Sequence, residues 1–180
     1  VYPSYNHDKN VKNFKENQDN EFPVLYMSFA SSKDPDWDKN HPGKATMEVI
    51  VPSGFEHYEK WAEEPWKKRG EEYEKYKENL SKRIIENVYK HCPHLKDKIS
   101  YYELSTPLST RNLANYDMGE LYGIDHDPKR FRQKWLKPKT PIKNLYLTGQ
   151  DILTVGLAGA LASGVLTTSV ILRKNIFKDI

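Results

Sequence analysis

Asn144-Leu-Tyr-Leu-Thr-Gly-Gln-Asp151, followed by Gly156-Leu-Ala-Gly-Ala-Leu-Ala-Ser-Gly164, is the stretch on which the reading of this chain turns. Leu145-Tyr-Leu147 is an apolar run of strand length. Gly149 allows a tight turn, and Asp151 sets a carboxylate at the end of the strand. From Ile152 to Leu172 there is no charged residue, and small residues recur at Gly156, Gly159, Ala160 and Gly164. The pattern is strand, turn, then a helix whose small residues allow another backbone to come close. Such a unit packs helix on sheet in an α/β domain.

The uncharged run is also long enough to cross a bilayer. Gly156, Ala160 and Gly164 make a small-xxx-small face of the kind that packs membrane helices. Against a span stand Thr154, Ser163, Thr167, Thr168 and Ser169, which dilute the hydrophobicity. Asp151 sits at the entrance, where an N-cap or an anion-facing turn is placed. With an apolar strand immediately before it, the run reads as a buried helix.

Working outward, residues 1–22 mix Lys, Asn, Asp and Glu and read as a polar, loosely held arm. Val24–Ala30 and Thr46–Val51 read as strands, separated by the breakers Asp34-Pro-Asp36 and Asn40-His-Pro-Gly43. An antiparallel pair without a tight hairpin follows. From Tyr73, apolar residues at Tyr76, Leu80, Ile84, Val88 and Cys92 mark one face of a long helix. Pro93 ends it. His91-Cys-Pro-His94 invites a metal reading, but no second cluster accompanies it and Pro93 bends the spacing, so no metal site is expected. Lys98–Leu104 reads as a further strand, and Ser105-Thr-Pro-Leu-Ser-Thr-Arg111 as the start of a short helix or turn. Gly119-Glu-Leu-Tyr-Gly-Ile124 is short, with glycines where side chains would block a ligand. Lys129–Lys143 holds seven basic residues and no acid, interleaved with Phe131 and Trp135. A solvated loop, a nucleic-acid patch or a segment lying on an anionic membrane all have this composition.

At 180 residues the chain suffices for one domain or a domain plus part of another. Twelve Tyr and four Trp supply a core and argue against general disorder. A net charge of +3 does not point to nucleic acid, and no nucleic-acid partner is expected. Cys92 is the sole cysteine, which rules out an internal disulfide. The chain opens at Val1 with neither an initiator Met nor a signal peptide, as a processed or incomplete polypeptide would.

Leu145-Tyr-Leu-Thr-Gly-Gln-Asp-Ile152 resembles the closing cofactor motif of the retinol saturase group. These all-trans-retinol 13,14-reductases stand with the carotenoid isomerases and phytoene desaturases among FAD-dependent oxidoreductases. Further strings resemble the same family in the right order. They are Ser28-Phe-Ala-Ser-Ser-Lys-Asp34 with Trp37, Pro42-Gly-Lys-Ala-Thr-Met47, Trp66-Lys-Lys-Arg-Gly70 with Tyr73, Ser105-Thr-Pro-Leu-Ser-Thr110, Tyr122-Gly-Ile-Asp-His-Asp127 and Thr140-Pro-Ile-Lys-Asn-Leu-Tyr146. The resemblance covers about residue 24 to the C-terminus.

It implies the C-terminal portion of such an enzyme, of α/β class with α+β character. Residues 1–23 would be a polar arm and 24–140 part of a mixed-sheet substrate domain. Residues 141–180 would be the last strand and helix of a Rossmann-like FAD domain. The implied cofactor is FAD, whose anionic phosphates suit a helix N-terminus. Gly149 and Asp151 would face its ribityl and phosphate region, and Gly156, Leu157 and Gly159 would lie along the flavin. Tyr122, Gly123 and His126 would come from a segment near the isoalloxazine ring and substrate. Tyr122 and His126 are the catalytic candidates there, with an ordinary surface or packing histidine as the alternative at His126, and no general acid or base is assigned. The family's chemistry passes hydride through the flavin.

The chain departs from the family in one respect. None of its nine glycines forms the G-x-G-x-x-G loop that binds the adenosine half. Another polypeptide or an N-terminal region would supply that loop. Three functions compete: a portion or split half of an FAD-dependent oxidoreductase acting on a hydrophobic polyene, a non-catalytic structural subunit of that ancestry, and a membrane-anchored binding protein. The resemblance also implies association with the endoplasmic reticulum or another intracellular membrane.

Overall fold

A computed structural model describes residues 1–179, which form two compact units, 1–118 and 119–179. In the first, helix α1 (His7–Glu16) opens with the Asn6 side chain accepting the Lys9 N–H at 3.1 Å. Strand β1 (Tyr26–Ser28) pairs antiparallel with β2 (Glu48–Ile50), Met27 opposite Val49. Between them lies the short helix α2 (Trp37–Asn40). This is the pair expected from the apolar, aromatic run Val24–Ala30 and the β-branched run Thr46–Val51, with a long excursion in place of a tight turn.

Helix α3 (Gly70–His91) is the backbone of the unit. Its inward stripe of Ile84 and Val88 continues into Cys92 and meets Phe14, Phe22 and Leu25 to make one core. Phe14 and Phe22 contact each other at 5.7 Å between ring centres. The expectation of a loose arm over residues 1–22 is therefore corrected. Two phenylalanines in an otherwise polar stretch suffice to bind it to α3. Arg83 reinforces the attachment by donating to the carbonyls of Gln18 and Asn20 while lying 4.3 Å from the Phe22 ring centre. Cys92 is a buried member of this core. Among the described residues no group of three His, Cys, Asp or Glu assembles that could hold a metal.

A second, aromatic core joins Tyr58, Trp61, Tyr73 and Leu108. Trp61 meets Tyr73 edge-on at 5.3 Å, and the Tyr73 hydroxyl is 2.7 Å from Thr106 Oγ1. Thr106 precedes α4 (Pro107–Ala114), where Pro107 loses no bond by lacking an N–H. Ser109 Oγ accepts the Thr106 N–H at 3.2 Å. Lys98–Leu104, expected as a strand, joins no sheet among the described residues.

Burial pushes the Tyr58 hydroxyl well above the ordinary tyrosine range, an effect that the Ser53 hydroxyl bonded to it only partly offsets. A raised folded-state value means that this stabilisation is complete below the unfolded value of about 10 and is lost as pH climbs through the folded one. An alkaline titration should show one tyrosine ionising together with unfolding. Tyr58→Phe should remove that coupling from the stability curve.

In the second unit, residues 119–155 make turns, a 3-10 turn at Arg130–Arg132 and one isolated antiparallel bridge, Lys139 to Tyr146. The closing strand expected at Leu145–Leu147 is reduced to that bridge plus the Leu147 N–H bonded to the Pro138 carbonyl at 2.8 Å. With no neighbouring strand to extend the ladder, it stops there. The α+β character is present, but the sheet of the described residues is two short antiparallel strands rather than a mixed sheet. The compact units divide at 118/119, and within the second the loop after Gly119 is bonded to the turn before the last helix.

Helix α5 (Gly156–Leu172) closes the unit. It starts at Gly156, so Asp151 is not its N-cap, and Val155 holds that position. Its buried face is Gly159, Ser163 and Thr167, while Leu157 (79% exposed), Leu161 and Leu172 face outward. The expected buried apolar helix is thus turned around. The reason is polar satisfaction: Ser163 Oγ accepts the Gly149 N–H at 2.6 Å, and the Thr167 hydroxyl donates to the Leu147 carbonyl at 2.9 Å. Those bonds would be lost if the leucines turned inward. Among the described residues no helix is long and apolar enough to cross a membrane.

Candidate functional site

The residues picked out in sequence come together in the second unit, around the turn Gln150–Asp151. Asp151 Oδ1 accepts the Ile124 N–H at 3.0 Å. Gly123, at φ +66°, makes room for that carboxylate: a Cβ there would stand 2.3 Å from Asp151 Oδ1. Tyr122 is also left-handed, at φ +71°, a conformation that costs a non-glycine residue about 1 kcal/mol. The Tyr122–Ile124 loop is thus held in a tight, strained turn by one carboxylate.

Arg130 makes the second tie. Only 5% exposed, it donates to the carbonyls of Ile124 at 2.9 Å and Gln150 at 2.6 Å. The Asp127 carboxylate accepts the Arg130 backbone N–H at 2.8 Å. One guanidinium nitrogen also lies 2.7–2.8 Å from the ring nitrogens of His126, whose ring meets Phe131 edge-on. His126 is exposed, yet its ring is engaged by a cation. Sequence reasoning passed over Arg130 because it stands in a basic run whose other members face solvent. The one available signal was Asp127-Pro128 three residues earlier, a pattern that starts a capped turn.

The glycines divide by what surrounds them. At Gly149 (φ +105°) and Gly156 (φ +85°), a Cβ would meet nothing within 4 Å. Gly159 is taken up by packing, since a Cβ there would come within 2.0 Å of the Thr154 carbonyl oxygen. The Gly156 N–H donates to Gln150 Oε1 at 3.4 Å, while no side chain caps the helix from Val155. Apart from that bond, the start of this 17-residue helix carries no cap, beside the glycine backbones of Gly149 and Gly156 and the exposed Leu157. Free N–H groups and the helix dipole make such an end hospitable to phosphate or another anion. Asp151, expected to face such a ligand, spends one oxygen on the Tyr122–Ile124 loop.

With this geometry in view, the chain's relatives are informative. It is 40% identical to the rat all-trans-retinol 13,14-reductase over 169 residues, which is 92% of this chain and 28% of that protein. The human all-trans-retinol 13,14-reductase is 38% identical over 88% of the chain. The chain is homologous to the all-trans-retinol 13,14-reductases. It spans little more than a quarter of the length of those two relatives. A zebrafish protein described as an inactive all-trans-retinol 13,14-reductase is 30% identical over the whole chain. No family model matches the chain, and no solved structure does.

Proposed function

We propose that this chain forms part of an FAD-dependent oxidoreductase that saturates, desaturates or isomerises a retinoid or similar polyene, as its C-terminal portion or split half. The observation that carries the reading is homology to retinol 13,14-reductases along 92% of the chain. The open glycine backbones at Gly149 and Gly156 supply a shelf that fits a cofactor's phosphate and ribityl groups. When bound, the flavin supplies hydride transfer. This chain's own part is to bind and orient it: Gly149, Gly156 and Leu157 make the shelf, and Asp151 and Arg130 fix the Tyr122–His126 loop beside it. The adenosine loop comes from a further stretch of polypeptide. The proposed site of action is an intracellular membrane such as the endoplasmic reticulum. Exposed Phe131, Trp135 and Ile142 among exposed lysines favour contact with the bilayer surface.

A second reading is a non-catalytic structural subunit. It is favoured by the inactive zebrafish relative, which matches the full chain. The visible absorbance of the natively purified protein separates the two: flavin bands in proportion to the chain support the enzyme, and a colourless folded sample supports the subunit. Asp151→Ala should then lower flavin retention about tenfold or more, the worth of one charged hydrogen bond and the loop it holds. An unchanged flavin-to-protein ratio would count against this placement of Asp151.

A further inference from the structure

In the first unit, Arg69 is buried without a counter-charge. It is 8% exposed, and its Nε has no hydrogen-bond partner. Its guanidinium lies 5.4 Å from the Trp66 ring centre and 5.3 Å from that of Tyr73. Among the described residues, no hydrogen bond or ion pair joins any of its side-chain donors. Desolvating a cation is costly unless a partner compensates, and ring faces recover only part of that cost.

The missing partner has a place. Arg69 is the N-cap of α3 and gives it no side-chain bond, so the first N–H groups of a 22-residue helix are uncapped. Lys67, Lys68, Arg69 and Gly70 line a shallow, largely open depression at this helix start, together with Glu71, Glu74 and Lys75. Lys67 (φ +60°) and Gly70 (φ +80°) are both left-handed, and a Cβ on Gly70 would meet nothing. Lys67 and Lys68 are exposed and, among the described residues, in no ion pair. The lining acids are already occupied: Glu71 is 4.0 Å from Lys75, and Glu74 is 3.7 Å from Lys77.

We propose that this depression is an oxyanion site for a phosphate monoester, with the Arg69 guanidinium, the Lys67 and Lys68 ammonium groups and the α3 N-terminus as its ligands. A guanidinium fork matches two phosphoryl oxygens, and the lysines add point charge. The four lining cations exceed the two lining acids by two charges, which matches a dianion rather than a carboxylate. The site does not depend on the flavin reading.

The test titrates the protein, together with whatever completes it, with inorganic phosphate, followed by phosphorus NMR and thermal unfolding against chloride of equal ionic strength. Saturable binding should appear, weakened at least about tenfold in Lys67→Ser/Lys68→Ser, whose exposed positions leave the core intact. Arg69→Met, which keeps the stem between Trp66 and Tyr73, should abolish it. A phosphate effect no larger than that of chloride, or binding unchanged in the lysine double variant, would overturn the proposal. Two further arms distinguish the phosphate's source. Competition by a ribose 2′-phosphate nucleotide assigns a soluble ligand. Capture by vesicles containing phosphatidic acid, but not by neutral vesicles, assigns a lipid headgroup. Each supports the site only if the lysine variant loses it.

Discussion

Arg130→Met should destabilise the second unit by about 3 kcal/mol and detach the Tyr122–His126 loop from the Gln150–Asp151 turn. The methionine keeps most of the stem's volume, so the change isolates the guanidinium. That group serves two backbone carbonyls, at 2.9 and 2.6 Å, from segments 26 residues apart in the chain, Ile124 and Gln150. A part-buried carbonyl stripped of its charged donor loses about 1–2 kcal/mol, and two are stripped at once. His126 loses its partner as well. Arg130→Lys should recover only part of the loss, because one ammonium cannot fork to both carbonyls. Urea denaturation followed by Trp135 fluorescence reads the stability. If the enzyme reading holds, flavin retention should fall in parallel, since the loop beside the shelf is no longer fixed. A stability loss under about 0.5 kcal/mol, the usual range of a neutral surface change, would show that Arg130 is not the tie described here.

Gly159→Ala should cost about 3 kcal/mol, while the same substitution five residues on should be neutral or stabilising. At position 159 the new methyl would stand 2.0 Å from the Thr154 carbonyl oxygen and 2.7 Å from its carbon. Both atoms are backbone, so either the turn before α5 or the helix itself must shift. Overpacking a fixed contact costs about 1–3 kcal/mol and more where no rotamer can yield. At Gly164 a Cβ meets nothing within 4 Å, so Gly164→Ala gains the helix propensity of alanine, about 0.5–1 kcal/mol. The pair shares a helix and a chemistry and differs only in surroundings. Equal effects at the two sites in a denaturation series would contradict the packing of α5 on its preceding turn.

Much of the fold was legible because the relevant signals are local. The spacing of Tyr76, Leu80, Ile84 and Val88 marks α3, since a stripe every three to four residues has one helical solution. Thr106-Pro107 marks the start of α4, and the runs Val24–Ala30 and Thr46–Val51 mark β1 and β2. The family was legible for a different reason. Short strings in a fixed order along most of the chain are far more specific than any one of them, and the homology to retinol 13,14-reductases bears that reading out.

What the sequence determined by itself, then, is ancestry, the long helix and the residues gathered near the Gln150–Asp151 turn. Only tertiary structure decided how those residues are used. Phe14 and Phe22 anchor a stretch that composition called a loose arm, because burial depends on what lies opposite and not on average polarity. Ser163 and Thr167 turn the apolar face of α5 outward, because unpaired backbone groups at Leu147 and Gly149 demand partners. Arg130 and Arg69 go inside while neighbouring lysines stay in solvent. One is surrounded by carbonyls and the other lies between aromatic rings, and such surroundings are made by segments distant in the chain, where no local pattern records them.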